Sequence, residues 1–299
     1  MLKKILCICL ALLLTACKPV GDVMTSSNAY SLLCSTGTPA ISLLSIINSE
    51  HSIDISEDIN VIGEAFDKAD YDFVIAPINL GVNKSVSSGN YLLLSVVSYG
   101  TYNLVSTDST LNKGNVLAMN KNGVIKDVLE YLKQTDLRKY DFEWCNSMYD
   151  IEYNFNNSGT VAAVVDEVSY NYLSSALGRE LFKIEDINVD YEYQSHYDQI
   201  PEYGMFVRKE IAEKDQANLA SFAKTLKTNI ALYKTDKTTF NKVLNDSDIS
   251  KIGFDSRELI SESYNYCGLD FVYAVNDYDK ISFVLSLSES TVPETIIVK

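Results

Sequence analysis

The sequence predicts an α/β fold with two lobes, each built on a mostly parallel sheet flanked by helices. Three observations support this expectation. Apolar strand-like segments alternate with segments of helical periodicity along most of the chain. Some of these strands, such as residues 91–98, are apolar almost throughout, which is typical of strands covered on both faces. No Pro-, Gly- or Ser-rich linker divides the chain, so we expect strands to cross between the lobes.

The N-terminus carries the pattern of an export signal. Two lysines precede an apolar run over residues 5–14 that is too short to span a bilayer. Small residues ending in Ala16 then stand before Cys17, which resembles the lipobox of bacterial lipoproteins. We therefore predict a signal peptide at 1–17 with lipid on Cys17, a polar tether at 18–28, and an extracytoplasmic domain anchored to the cell membrane. The alternative is an ordinary secretory peptide with a chance cysteine.

The acidic balance of the chain restricts its partners. The formal net charge is −15, and it becomes two units more negative when the lysines of the signal are lost. Nucleic acid is disfavoured as a partner, because its phosphates reward basic surfaces. The same charge repels the domain from an anionic membrane face, which leaves the lipid as the expected membrane contact.

Cysteine and histidine content limits the chemistry that the domain can perform. Cys34, Cys145 and Cys267 remain after the signal is removed, and they allow one disulfide at most. His51 and His196 are the only histidines, and their polar neighbourhoods predict solvated side chains. The sequence therefore predicts neither a metal site nor a cofactor. It also contains no dinucleotide fingerprint, P-loop, serine nucleophile elbow or HExxH motif.

Turn signals and periodicity place the elements. Strands are predicted at 30–35, 71–76, 91–98, 102–107, 115–119, 141–145, 160–165 and 203–208. Helices are predicted after Pro39, at 61–69, after Asn122, around 148–155, from 167 to Gly178, and at 215–234, 238–244 and 255–263. Residues 269–275 fit either a strand or a helix, and 279–287 favour a helix.

Three turns at strand ends carry polar groups where open α/β sheets bind ligands. Residues 36–39 follow the first strand, and a capping turn with no ligand is an equal alternative there. Asn79 emerges beyond Pro77, where a side chain bonded to its own backbone is the alternative. Tyr99 precedes Gly100, which permits a bend or a close backbone approach.

Asp166 and Glu167 give the sharpest signal, because two carboxylates directly follow an apolar strand. Either they are acids favoured at a helix N-terminus, or they are aimed into a cleft. A catalytic acid–base pair is the weakest interpretation, since adjacent residues seldom face one substrate together. The arginines fall outside all of these turns, which argues against a sulfonate or phosphate held by a guanidinium group. They are Arg138, Arg179, Arg208 and Arg257.

The order of these segments resembles a known family. Residues 35–40 head a helix, 71–77 end a strand in proline, 161–167 end a strand in two acids, and 203–208 precede a long helix. In this order they look like the substrate-binding lipoproteins of ABC importers, nearest to the group that binds alkanesulfonates, thiamine pyrimidine precursors and related small molecules. The resemblance extends over nearly all of residues 30–287.

The resemblance implies a type 2 periplasmic-binding fold with a ligand held between the lobes. The first lobe would comprise 29–99 and 211–299, and the second 100–210. The ligand would contact Thr36, Thr38, Pro39, Asn79 and Tyr99 on one side, and Asn122, Gly123, Asp166, Glu167 and Tyr203 on the other. The chain departs from the sulfonate binders in having no cleft arginine, and it lacks the histidine- and cysteine-bearing sites of the eukaryotic pyrimidine-synthesising relatives.

The function expected from these features is capture of a small molecule and its delivery to an ABC permease. The ligand would be pyrimidine-like or another flat amine rather than a sulfonate. An enzyme with Asp166 or Glu167 as general base is one alternative, although no nucleophile, metal set or histidine stands beside them. A surface sensor or adhesin that uses the fold without transport is the other.

Overall fold

A computed structural model describes residues 29–119, 123–145, 147–157 and 162–299. The signal peptide, the tether and the lipid-bearing Cys17 predicted above lie outside these residues, and so does Asn122. Within the described ranges, no helix is both long enough and apolar enough to cross a membrane.

The described residues alternate strands and helices along almost the whole chain. The strands are β1 (Ser31–Ser35), β2 (Ser52–Ser56), β3 (Phe73–Pro77), β4 (Tyr91–Gly100), β5 (Asn103–Ser106), β6 (Gly114–Ala118), β7 (Tyr140–Trp144), β8 (Ala162–Val165), β9 (Phe182–Asp186), β10 (Ile200–Arg208) and β11 (Leu269–Tyr273). The helices are α1 (Thr38–Ile41), α2 (Ile59–Lys68), α3 (Ile78–Ser88), α4 (Val124–Leu132), α5 (Met148–Asn157), α6 (Glu167–Ala176), α7 (Ile187–Ser195), α8 (Lys209–Lys214), α9 (Gln216–Thr235), α10 (Lys237–Asp246), α11 (Arg257–Ser263) and α12 (Tyr278–Ser286). Short 3₁₀ turns occur at Leu44–Ile46, Asp136–Lys139, Ile249–Ile252, Ala274–Asn276 and Glu294–Ile296.

The strands form two sheets, which confirms the two-lobed α/β expectation. The first sheet has the order β11-β4-β10-β3-β1-β2, and the second β7-β6-β8-β5-β9. Both are mixed: β10 and β11 run against the other strands of the first sheet, and β5 runs against those of the second. The remaining strands of each sheet are parallel, so their carboxyl ends lie at one edge.

Two chain crossings join the sheets. The first lies between β4 and β5, where the Tyr102 N–H donates to Asn188 Oδ1 at 2.7 Å and the Tyr102 carbonyl accepts from the Ile187 N–H at 3.1 Å. The second lies between α7 and β10, because residues 200–208 pair with β3 and β4 in the first sheet. The resemblance had assigned that segment to the second lobe.

On one side of the molecule a single apolar cluster joins the two sheets, and on the other side each sheet has its own cluster. One cluster includes Val96 and Phe206 from the first sheet together with Leu104 and Val116 from the second. A second cluster covers the opposite face of the first sheet beneath α9, and a third, smaller cluster lies behind the second sheet around Phe155. The first sheet is therefore buried on both faces, as its apolar strands predict.

Most sequence-predicted elements coincide with observed ones to within a few residues, and the ambiguous stretch 269–275 forms the strand β11. The strands and α-helices that were not predicted from the sequence are β2, α3, β9, α7 and the short α8. Both strands are half exposed, and α7 has little apolar periodicity. Helix α3 follows Pro77 without a side-chain cap, so no start signal marks it.

His51 corrects one expectation, because it is buried rather than solvated. Its Nδ1 accepts a hydrogen bond from the Tyr30 N–H at 3.0 Å, and the two rings stack with centroids 5.8 Å apart. Burial lowers the pKa of His51, which favours the neutral ring. Cys34, Cys145 and Cys267 are free thiols, so the one disulfide that the sequence allows is not formed among them.

Candidate functional site

A cavity of about 320 Å³ lies where the carboxyl ends of the parallel strands of both sheets face each other. Its walls come from the ends of β1, β2 and β3 on one side, and from the segments after β6, β7 and β8 on the other. This is the edge at which open α/β sheets bind ligands, and the volume suits a small molecule.

The turn after β1 provides part of the first wall. Residues Ser35, Thr36, Gly37 and Thr38 line the cavity, and the Thr36 N–H donates to the Ser56 carbonyl at 3.2 Å. Gly37 has a φ of 84°, a conformation that other residues adopt only with strain. The turn therefore brings the Thr38 hydroxyl to the cavity.

The start of β10 completes the first wall with Glu202 and Tyr203. Because β10 is antiparallel to β3, with Tyr203 opposite Pro77, its first residues lie beside the carboxyl end of β3. Tyr203 lines the cavity, but from the first wall and not from the second-lobe side to which the resemblance assigned it, because β10 pairs with β3. Glu202 was not predicted. No sequence signal marked it, because Glu202 directly precedes the predicted strand 203–208, whereas the observed strand begins at Ile200.

Asp166 forms the centre of the second wall. Its Oδ1 accepts from the Ser169 N–H at 2.8 Å, which caps α6, and its Oδ2 accepts from the Thr38 hydroxyl at 2.9 Å. Both interpretations left open by the sequence therefore apply to Asp166, because one oxygen caps α6 and the other faces the opposite wall. Gly123, the residue before α4, also lines this wall.

Glu167 takes a different environment, although it is adjacent in sequence. It is not among the residues that line the cavity. Its Oε2 lies 2.7 Å from Lys183 Nζ, and that ammonium group lies 4.6 Å from the centroid of the Tyr170 ring. Asp166 is the N-cap and has extended backbone angles, whereas Glu167 is the first residue of α6, so the two adjacent side chains have different environments.

Three further predicted residues lie away from the cavity lining. Asn79 lies in the first turn of α3, where its Oδ1 accepts from the Leu80 N–H at 2.9 Å, and it borders a separate groove with α2. Tyr99 is buried and donates its O–H to Asp277 Oδ2 at 2.8 Å. Pro39 is buried in the first turn of α1, where its carbonyl accepts from the Ser42 hydroxyl at 2.6 Å.

The buried carboxyl of Glu202 dominates the electrostatics of the cavity. Only 5% of the residue is exposed, and its Oε1 accepts a hydrogen bond from the Tyr102 O–H. Burial, and then the nearby Asp166 carboxylate, raise the pKa of Glu202 to about 8 despite the opposing effect of that hydrogen bond. Burial and the same two carboxyls also raise the pKa of Tyr203 well above its ordinary value.

No positive side chain lines the cavity among the residues that the structure describes. Three of the arginines serve elsewhere. Arg208 pairs with Asp72 at 2.8 Å, Arg257 donates to the Leu244 carbonyl, and Arg179 donates to the Phe155 carbonyl. The cavity therefore presents hydroxyl and carboxyl oxygens, which favour hydrogen-bond donors and cations over anions.

Within the described ranges there is no candidate metal cluster, and two larger cavities, of about 550 and 590 Å³, share no lining residue with this site. No group of three or more His, Cys, Asp or Glu side chains there could hold a metal ion. The cavity of about 550 Å³ is lined by Tyr197 and C-terminal residues, and it takes nothing from the strand ends. Two of its charged groups already have partners, since Lys280 Nζ lies 2.6 Å from Asp198 Oδ1 and Asp277 accepts a hydrogen bond from Tyr99.

Comparison with known proteins identifies the fold. No protein-family model matches the sequence, and no curated protein matches it significantly. Solved structures do match. An ABC transporter protein from Parabacteroides distasonis is 14% identical with a TM-score of 0.71, covering 91% of this chain and 96% of its own.

Two other matches belong to the same class. The zinc-bound ligand-binding component of an ABC-type import system from Staphylococcus aureus is 9% identical with a TM-score of 0.68, covering 91% of this chain and 97% of its own. The periplasmic aliphatic sulphonate binding protein SsuA from Escherichia coli is 12% identical with a TM-score of 0.65, covering 92% and 93%. The chain therefore has the fold of ABC-importer binding proteins, as the order of its motifs indicates.

Proposed function

We propose that this protein captures a small molecule between its two lobes, outside the cytoplasm, and delivers it to an ABC importer. One observation carries the proposal: the Thr38 hydroxyl bonds to Asp166 at 2.9 Å directly across the cavity, so both lobes build a single site. A second contact between the two lobes lies outside the cavity lining, where Asn171 Nδ2 of α6 donates to Ser263 Oγ of α11 at 3.0 Å. The shared fold of the import proteins supports the transport role.

Closure of the lobes is the proposed mechanism. We assign 29–100 and 200–299 to the first lobe and 101–199 to the second, because β10 pairs within the first sheet. A ligand that touches both walls binds the closed arrangement more strongly than the open one, and this difference drives closure. The torsions that change lie in the crossings around Gly100 and before Ile200.

The ligand class follows from the charge of the walls. Asp166 and Glu202 supply carboxyl oxygens, and the described lining contains no cation to hold a sulfonate. A pyrimidine-like compound or another flat amine can donate hydrogen bonds to these oxygens. Tyr203 offers an aromatic ring in the wall that contains Glu202. This chain is therefore proposed to differ in ligand from SsuA, whose name records a sulphonate.

The enzyme alternative gains no support from the site geometry. It names Asp166 or Glu167 as the general base. Glu167 is paired with Lys183 outside the cavity lining, and both oxygens of Asp166 accept hydrogen bonds, from the Ser169 N–H and the Thr38 hydroxyl. Cys145 does line the cavity, but burial raises its pKa and so disfavours the reactive thiolate. Turnover of a bound compound would nevertheless decide for the enzyme.

A screen of small metabolites by thermal shift tests the binding function. Ligand at a hundredfold excess over its dissociation constant stabilises the folded state by about 2.7 kcal/mol, which shifts the melting temperature measurably. We expect pyrimidines and flat amines to stabilise the protein and alkanesulfonates to leave it unchanged. Stabilisation by sulfonates alone would overturn the proposed ligand class, and stabilisation by no compound would count against solute binding.

The proposed membrane anchor is tested separately. A single lipid-bearing cysteine after a cleaved signal is the expected attachment, so Cys17→Ser should release the protein or leave it unprocessed. Fractionation of cells that express each form, followed by immunoblotting, measures this. Processed Cys17→Ser protein that stays in the membrane fraction would contradict the lipid anchor. A permease and an ATPase encoded beside this gene would favour transport over a sensor or adhesin.

A further inference from the structure

Glu202 has a combination of properties that a structural role does not require. It is the acid that the sequence reading missed, it is 95% buried, and it lines the cavity between the lobes. Its hydrogen-bond donor, Tyr102, is also buried and lies at the crossing from β4 to β5. Ionising a buried carboxyl that has no cationic partner costs free energy, so the group stays neutral unless a cation binds beside it.

The groups that face Glu202 supply no such positive partner. Tyr102 contacts it from the crossing segment, Asp166 approaches from the end of β8, and Tyr203 is its neighbour on β10. Glu57 and Cys145 are the other titratable groups that line the same cavity. All of these are neutral or negative at physiological pH, so the described surroundings hold no charge that would stabilise an ionised Glu202.

We propose that Glu202 is the specificity-determining residue of the cavity: it selects a flat cationic ligand, such as an amidinium or a protonated aminopyrimidine, and gives up its proton when that cation binds. The inference rests on the proposed solute-binding function. In the empty protein the carboxyl is neutral and bonded to Tyr102. When a permanently charged cation enters, the O–H bond of Glu202 breaks, the proton passes to solvent, and the carboxylate pairs with the ligand.

The pH dependence of binding follows from this exchange. A carboxyl with a pKa of about 8 is mostly protonated at pH 7, so binding a cation there releases close to one proton. Affinity for a permanently charged cation should therefore rise with pH up to about 8 and then level off. A neutral or anionic compound gains nothing from ionisation of Glu202, and the residue discriminates against it.

Isothermal titration calorimetry with benzamidinium, benzamide and benzenesulfonate tests the selection. These probes share one ring and differ in charge, and titration in two buffers of different ionisation enthalpy counts the protons released. For the wild type at pH 7 we expect benzamidinium to bind most tightly, with release of about one proton. Glu202→Gln should abolish that release and weaken benzamidinium at least tenfold. Glu167→Gln removes an acid that lies outside the cavity lining and serves as the matched control, which should keep the release.

Several outcomes overturn the inference. They are no binding of benzamidinium, binding without proton release, unchanged release in Glu202→Gln, and preference for benzenesulfonate. A carbon-13 titration of glutamate carboxyls in the ligand-free protein gives an independent reading, with a signal near pH 8 that is absent from Glu202→Gln. Ionisation of Glu202 below pH 6 would refute the proton exchange even if a solute binds, so the inference can fail while the binding function stands.

Discussion

Asp166 and Glu167 are adjacent in sequence, but their carboxylates have opposite electrostatic surroundings. Asp166 faces the cavity, where Glu202 is its acidic neighbour and the described lining offers no cation. Glu167 turns to the other side of α6 and pairs with Lys183 at 2.7 Å. The contrast shows that whether one of these acids can reach a ligand depends on its position at the start of α6 and on the residues that surround it. A run of two carboxylates in sequence does not reveal which of them is available to a ligand.

The largest expected effect is on the pH dependence of stability, through Glu202. Its pKa rises from an ordinary 4.5 to about 8 in the folded state, so unfolding between these values releases a proton. Stability should therefore fall as pH rises from about 4.5 to 8, by as much as roughly 4 kcal/mol for this group alone. Glu202→Gln keeps a neutral acceptor for Tyr102 and should remove that contribution.

Urea unfolding of both forms at pH 5, 6, 7 and 8 measures this effect. The difference in unfolding free energy between Glu202→Gln and the wild type should grow in favour of the variant as pH rises. A constant difference would mean that the folded protein holds Glu202 ionised, and the cavity would then resemble the Glu167 region more than we describe.

The next effect is on ligand affinity, through Asp166. Asp166→Asn retains an oxygen that can cap α6 and accept from Thr38, but it removes the charge from the cavity. A hydrogen bond to a charged group contributes about 1.5–3 kcal/mol, so affinity for a cationic ligand should fall tenfold or more. Calorimetric titration measures the loss. Equal affinity in both forms would reduce Asp166 to a helix cap.

The smallest effect is expected at Glu167, which makes it the matched control. Glu167→Gln removes one partner of an ion pair in which the lysine side chain is 41% exposed and the glutamate side chain 11% exposed. Because the lysine can turn to solvent, the loss of stability should be about 1 kcal/mol. Ligand affinity should be unchanged, because this side chain does not line the cavity. A loss of affinity comparable to that of Asp166→Asn would erase the distinction between the two regions.

The sequence predicts the strands and helices of this protein better than the residues of its candidate site. Strand β3 is apolar and bounded by turns, so its local pattern alone identifies it, whereas the local pattern of β10 identifies only residues 203–208. The local pattern also identifies the turn at Gly37, where residue type dictates conformation. Long-range pairing dictates the rest: Glu202 reaches the cavity only because β10 runs antiparallel to β3.

Residues with good local signals can also face the wrong way. Asn79 and Tyr99 do lie near strand ends, as predicted, but each is bonded outside the cavity lining. The orientation of Asn79 depends on its place in the first turn of α3. The orientation of Tyr99 depends on its hydrogen bond to Asp277, which is distant in sequence. No local pattern contains that information, and the same holds for Lys183, the residue that pairs with Glu167.

Small-angle X-ray scattering with and without the most stabilising compound from the thermal-shift screen tests the central claim of closure around a ligand. The account predicts a smaller radius of gyration with ligand in the wild type. It predicts a weaker change in Thr38→Val, which removes the hydroxyl that donates to Asp166 across the cavity. Tight binding that leaves the radius of gyration of the wild type unchanged would contradict the closing of the two lobes.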